Sequence, residues 1–203
     1  MYSIEVDTHT HSVVAVHAYS TIEENVREAF QKGIRGIVST DHGPALSPFD
    51  NTLHFYNLDL IPKVFRGVRF FKGAEVNILD KDGTVDLTSG YLKRLDFVLA
   101  GYHSTGGEWN EQSVTEGYLN VLNNPYIHCL AHIGQPAYKC NYELVVKEAK
   151  KQGKVIEINN NSFHIRPGSE ENCLEVARLC KEYGVLFISI TFPCFFASFT
   201  TSS

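Results

Sequence analysis

The chain has 203 residues, 43% of them hydrophobic and 20% charged, a balance that excludes a disordered polymer and suits a single domain. Its 18 basic and 23 acidic residues leave a net charge of −5, which argues against an electrostatic grip on nucleic acid or an anionic membrane. Nine histidines are an unusually large number for a domain of this size.

The cysteines, Cys129, Cys140, Cys173, Cys180 and Cys194, are odd in number and form no C-x-x-C pair, so no disulfide framework is expected. Glu5 and Asp7 are incompatible with a secretory signal, and a reducing cytoplasm is the expected location. Residues 185–199 carry no charge. They are fewer than the ~20 apolar residues a membrane span needs, and Pro193 interrupts them. They read as a buried strand followed by an apolar tail, whose exposure would favour poor solubility or a homo-oligomer.

In chain order, strands are predicted at residues 4–6, 36–39, 68–74, 97–101, 127–131, 155–158 and 185–190. Thr21 and Glu24 read as a capping box. The helix behind them turns Ile22, Val26, Ala29 and Phe30 inward and stops at Gly33. A second helix, 142–152, turns Leu144, Val145 and Ala149 inward and stops at Gly153. A third, 170–183, turns Leu174, Ala177 and Cys180 inward and stops at Gly184. Cys173 and Cys180 on that helix read as small buried hydrophobes. Strand–helix alternation implies parallel strands joined by helical crossovers. Seven such units suit a barrel better than an open sheet.

The histidines recur at the strand ends. His9 and His11 follow the first strand, His42 the second, Glu75 the third, His103 the fourth and His132 the fifth, while His17 sits in a loop. In parallel α/β folds the C-terminal strand ends form the functional face, so these residues are expected to converge. Imidazole nitrogens suit zinc-class metals, and a carboxylate can bridge two ions. His9 and His11, two apart on an extended segment, can hold one ion together. Asp41, beside His42, is expected to orient that histidine. His54, His128 and His164 read as ordinary structural or surface residues. No base-stacking platform or basic stripe points to nucleic acid.

The stretches DTHTH, HAYSTIEENVREAFQKGI, STDHG, GAEVNI, AGYHS, AHIGQP and EINNNSFHIRPGSEENC resemble the PHP (polymerase and histidinol phosphatase) superfamily, and within it the YcdX-like phosphatases. The resemblance runs from residue 4 to about residue 190. It implies an α/β fold, a distorted (β/α)7 TIM-like barrel spanning residues 1–190, with a trinuclear metal site on its rim. Zinc is the expected ion, with Mn2+ or Fe2+ as alternatives. The resemblance implies that His9, His11 and Glu75 hold one metal. Glu75 would bridge to a second completed by His103 and His132, and His17 and His42 would hold a third. Glu75, His103 and His132 are thus the expected catalytic group.

The tail, residues 191–203, departs from the pattern. Family members carry an Asp-x-His after the seventh strand, where this chain has Pro193 and Phe195 around Cys194. The barrel is therefore expected to be incomplete at its C-terminus and its activity impaired. The expected function is a metal-dependent phosphoester hydrolase acting on a small phosphorylated substrate, with no nucleic-acid or membrane partner. The alternative is a catalytically weak PHP-like metal-binding module. Arg166 could grip phosphate through its planar fork or pair with a surface carboxylate. The helix begun by Gly168-Ser169-Glu170 could assist an anion.

Overall fold

The computed structural model describes residues 5–190. Strands β1 (Val6–Thr10), β2 (Gly36–Ser39), β3 (Val64–Phe65), β4 (Val68–Asn77), β5 (Phe97–Gly101), β6 (Cys129–Leu130), β7 (Val155–Asn159) and β8 (Phe187–Ile190) form one sheet. Seven of them run parallel in the order β1-β2-β4-β5-β6-β7-β8, while the short β3 pairs antiparallel with β4. The sheet curls until β8 lies in contact with β1. Among the described residues no hydrogen-bonded ladder joins those two strands.

The helices are α1 (Ile22–Gln31), α2 (Thr52–Asn57), α3 (Ser89–Leu92), α4 (Glu111–Leu122), α5 (Tyr142–Gln152), α6 (Ser162–Ile165) and α7 (Ser169–Tyr183). Each parallel step of the sheet encloses at least one of them, as crossover connections require. Strands covered on both faces read as continuous apolar runs, and Val98, Leu99 and Ala100 of β5 are all fully buried. The main core lies between the sheet and its helices. It includes Val26 and Ala29 of α1, Val114, Tyr118 and Val121 of α4, Val145 and Val146 of α5, and Val176 and Cys180 of α7. A smaller cluster of Leu99, Cys129 and Ala131 is separate from it. Among the described residues no helix is long and apolar enough to cross a membrane.

The expected elements recur with shifted limits. β1 occupies Val6–Thr10 rather than 4–6, and β4 continues to Asn77. His9 and Glu75 therefore lie on their strands, not after them. The Thr21–Glu24 capping box is present, and Gly153 and Gly184 end their helices with left-handed backbones. Three residues expected to face inward do not: Phe30 is 62% exposed, Leu144 48% and Leu174 64%. Each is a chain neighbour of a buried residue (Ala29, Val145 and Cys173), and a rotation of about 100° per residue carries it off the buried stripe.

Helix α4 had no counterpart among the expected helices. Asn110 and Ser113 cap it reciprocally, and Gly117 lies within its buried face. Glycine weakens the helical signal there, but a Cβ at Gly117 would overlap the Tyr102 hydroxyl. Close helix–sheet approach, not propensity, explains the residue.

Candidate metal centre

At the C-terminal ends of the strands, His9, His11, His17, His42, Glu75, His103 and His132 come together around one carboxylate. Glu75 is 1% exposed. Its Oε2 lies 3.0 Å from His9 Nε2, 3.3 Å from His11 Nε2 and 3.2 Å from His42 Nδ1. Its Oε1 lies 3.2 Å from His103 Nε2 and 2.7 Å from His132 Nε2. The two oxygens thus serve different sets of imidazoles.

Backbone geometry explains the convergence. His9 and His11 are two apart on extended chain, so their rings share one side, with Nε2 atoms 3.1 Å apart. His42 and Glu75 form a parallel bridge that extends the β2–β4 pairing. Asn51 donates to the His42 carbonyl at 2.9 Å and steadies that segment. His103 follows β5, and its Nε2 lies 3.1 Å from His132 Nε2.

His17 reaches the cluster from the loop after β1, its ring 4.8 Å from that of His11 and 5.0 Å from that of His42. Val16 before it has φ 67° and ψ −33°, and the His17 N–H donates to the Ala15 carbonyl at 2.8 Å. This is a γ-turn with positive φ, costly for a β-branched residue. The His17 Nδ1–H donates to the same carbonyl at 2.9 Å, which leaves Nε2 as its lone-pair nitrogen.

The electrostatics favour neutral His17, His42 and His132 beside an ionised Glu75, and a charged His9. Burial pushes the Glu75 carboxyl up, but His9, His42 and His103 outweigh it and hold it well below the usual carboxylate range. Burial depresses His42 to about 2 and His132 to about 4, against the pull of Glu75 in each case. His17 is also lowered by burial. Burial opposes charge on His9 too, but Glu75 and Glu157 overcome it and raise its pKa well above the ordinary value.

The donor set fits zinc-class cations. His11/His17/His42, His9/His11/Glu75 and His42/Glu75/His103 each present ligand atoms within 4.8 Å of one another. Two pairs of Nε2 atoms approach to 3.1 Å while facing a carboxylate oxygen. Lone pairs so gathered suit a cation that accepts them all. The expected ligands are thus brought together, although His42 approaches Glu75 and His103 as well as His17.

Other expectations fare differently. Asp41 does not orient His42. Its carboxylate accepts from the Ser12 N–H at 2.6 Å and the Ser12 hydroxyl at 2.8 Å, and lies 2.9 Å from His54 Nε2. Burial raises its pKa, but His54 and Ser12 lower it further. Asp41 therefore pins the chain just beyond His11. His128 Nδ1 accepts from the Val98 N–H at 3.1 Å, a structural role, and His164 lies at the surface. Arg166 donates to Ser162 Oγ at 2.8 Å and lines a cleft of about 490 Å³ that also includes His103, Gln135 and Tyr138. Cys129, Cys140, Cys173 and Cys180 are buried free thiols. Pro193, Cys194, Phe195 and the expected barrel incompleteness lie outside the described residues.

Glu157 of β7, fully buried beside His9 and His132, was not among the expected site residues. The available signal was a single carboxylate in the apolar run Val155–Asn159, since a buried charge demands a partner.

The site is thus a histidine-rich carboxylate centre at the strand ends of a curled, mainly parallel α/β sheet. No family model matches the chain. It is 49% identical over 184 residues to a probable phosphatase of Acetivibrio thermocellus, covering 90% of this chain and 76% of the relative. It is 45% identical over 185 residues to a probable phosphatase of Caldicellulosiruptor bescii, with the same coverage. The chain belongs to the family of these probable phosphatases.

Two solved structures share the fold. Histidinol phosphate phosphatase from Lactococcus lactis, complexed with zinc, L-histidinol and phosphate, matches with a TM-score of 0.64 at 15% identity. The match covers 93% of this chain and 86% of that one. A chain in the structure of archaeal ribonuclease P with mature tRNA matches with a TM-score of 0.53 at 12% identity, covering 93% and 74%.

Proposed function

We propose that the chain is a metal-dependent phosphoester hydrolase acting on small phosphomonoesters. The observation that carries this reading is the convergence of five imidazoles on the buried Glu75 carboxylate, with the His17 ring beside those of His11 and His42. His9, His11 and Glu75 would hold one ion, Glu75, His103 and His132 a second, and His17 with His42 a third. Zinc suits these donors best, and Mn2+ or Fe2+ can use them too. When bound, such cations attract phosphate oxygens and lower the pKa of water toward about 7.

The protein's own groups supply the rest. Glu75 stays ionised and holds the two imidazole sets in register through its separate oxygens. Arg166 offers a planar, permanently charged fork to the phosphate. The cleft beside His103 receives the leaving group against Tyr138, Pro136 and Leu46. No carboxylate is among its described lining residues, so neutral or anionic leaving groups are favoured over cationic ones.

The test is a turnover screen across phosphomonoesters and amides, with bound metal measured on the same samples. Phosphomonoester turnover that rises with metal content is expected. Turnover of amides alone, or bound metal without any turnover, would overturn the reading, the latter in favour of a metal-binding module.

A further inference from the structure

Glu157 is fully buried, and hydrogen-bonded partners account for both of its oxygens. Oε1 lies 2.6 Å from His9 Nδ1. Oε2 accepts the His132 backbone N–H at 2.7 Å. One side chain on β7 thus reaches β1 and the turn after β6.

The two contacts do different things. His9 Nε2, the nitrogen not facing Glu157, points at Glu75 Oε2. A carboxylate oxygen 2.6 Å from Nδ1 accepts the proton on that nitrogen. Nδ1 therefore keeps its proton toward Glu157, and Nε2 is the nitrogen that faces the cluster and would ligate a cation in place of its own proton. His132 has φ 34°, in the left-handed region that non-glycine residues rarely adopt. Its N–H bond to Glu157 restrains the strained turn that aims its ring at Glu75 Oε1.

We propose that Glu157 is a positioning residue for the metal centre, setting the tautomer of His9 and the backbone of His132 with a single carboxylate. The inference rests on the reading that the cluster holds cations. It assigns Glu157 no contact with substrate.

Glu157→Gln is the informative substitution, because it keeps the size and changes one acceptor into a donor. If the Gln carbonyl faces His9, its NH2 meets the His132 N–H, and two donors oppose each other. If the amide turns over, the NH2 donates to His9 Nδ1 and forces the ring proton onto Nε2, toward the cluster. The first orientation loses the His132 contact, and the second keeps both contacts but sets the wrong His9 tautomer. Loss of such a partner typically costs 10–100-fold in metal affinity.

The experiment is a Zn2+ titration of the full chain against a competing chelator, with nitrogen NMR of the histidine rings in the zinc-loaded protein. In the wild type, His9 is expected with a protonated Nδ1 and a zinc-ligated Nε2. Glu157→Gln is expected to bind zinc roughly 10–100-fold more weakly and to shift the His9 or His132 signals. A folded variant with unchanged affinity and unchanged ring signals overturns the proposal. If the variant does not fold, the wild-type spectrum decides: a His9 protonated on Nε2 overturns it. A wild type that takes up no zinc overturns the proposed function and this inference together. Zinc uptake with an insensitive Glu157→Gln overturns the inference alone.

Discussion

Replacing Glu75 by glutamine tests whether this carboxylate joins two metal positions. Its oxygens face five imidazole nitrogens at 2.7–3.3 Å, three on Oε2 and two on Oε1. Glutamine keeps one of those oxygens, loses the charge, and turns an NH2 toward nitrogens that must offer lone pairs. A hydrogen bond to a charged group is worth about 1.5–3 kcal/mol, or roughly 10–100-fold in affinity. Glu75→Gln should impose such a loss on both ions that share the carboxylate. His42→Gln removes one imidazole and leaves the buried charge in place, so it should release less metal. Elemental analysis of protein purified without chelator measures both, with circular dichroism confirming that each variant folds. Equal metal losses in the two variants would refute the bridging role.

Arg166→Ala should lower kcat/KM for phosphomonoesters by roughly 10–100-fold, the cost of one charge-assisted contact, without changing metal content; unchanged kinetics would remove the arginine from the substrate site. Val16→Gly should relieve positive-φ strain and raise stability by about 1 kcal/mol, after allowance for the entropy of glycine, and a lower Tm than wild type would contradict the strained turn. His128 is held below its ordinary pKa, first by burial and then by Lys154. The unfolded chain therefore binds the extra proton first as the pH drops. The stability from neutral His128 is present above the unfolded pKa of about 6.5 and lost as pH falls through the lower folded value. In chelator-treated protein, His128→Gln should flatten the acid side of the stability–pH curve, and identical curves for variant and wild type would contradict this.

The convergence of the histidines on Glu75 was legible because parallel strands bring their C-terminal ends to one face, so residues distant in sequence could be placed together without knowing any contact. The partners that orient these side chains were not. Asp41 adjoins His42 in sequence, but side chains on extended backbone alternate in direction, and the carboxylate points instead to Ser12 and His54. Glu157 is 148 residues from His9, and only tertiary structure joins them. β1 was placed too early because Asp7, His9 and His11 look too polar for a buried strand end. The burial of His9 and His11 is sustained by the carboxylate–imidazole contacts of the centre, and Asp7 accepts the His9 N–H at 3.2 Å. Gly117 masks helix α4 in the sequence, because the residue serves close approach to Tyr102 rather than helix propensity.

The central claim, that the cluster around Glu75 holds ions required for phosphoester hydrolysis, is tested most directly by stepwise metal restoration. Protein stripped with chelator would be titrated with Zn2+, and in parallel with Mn2+, while phosphomonoester turnover and bound metal are recorded at each step. Negligible turnover is expected in the stripped protein, with recovery that follows occupancy and saturates when the ligand positions are filled. Full turnover without metal, or saturated binding in wild type and Glu75→Gln alike, would contradict it.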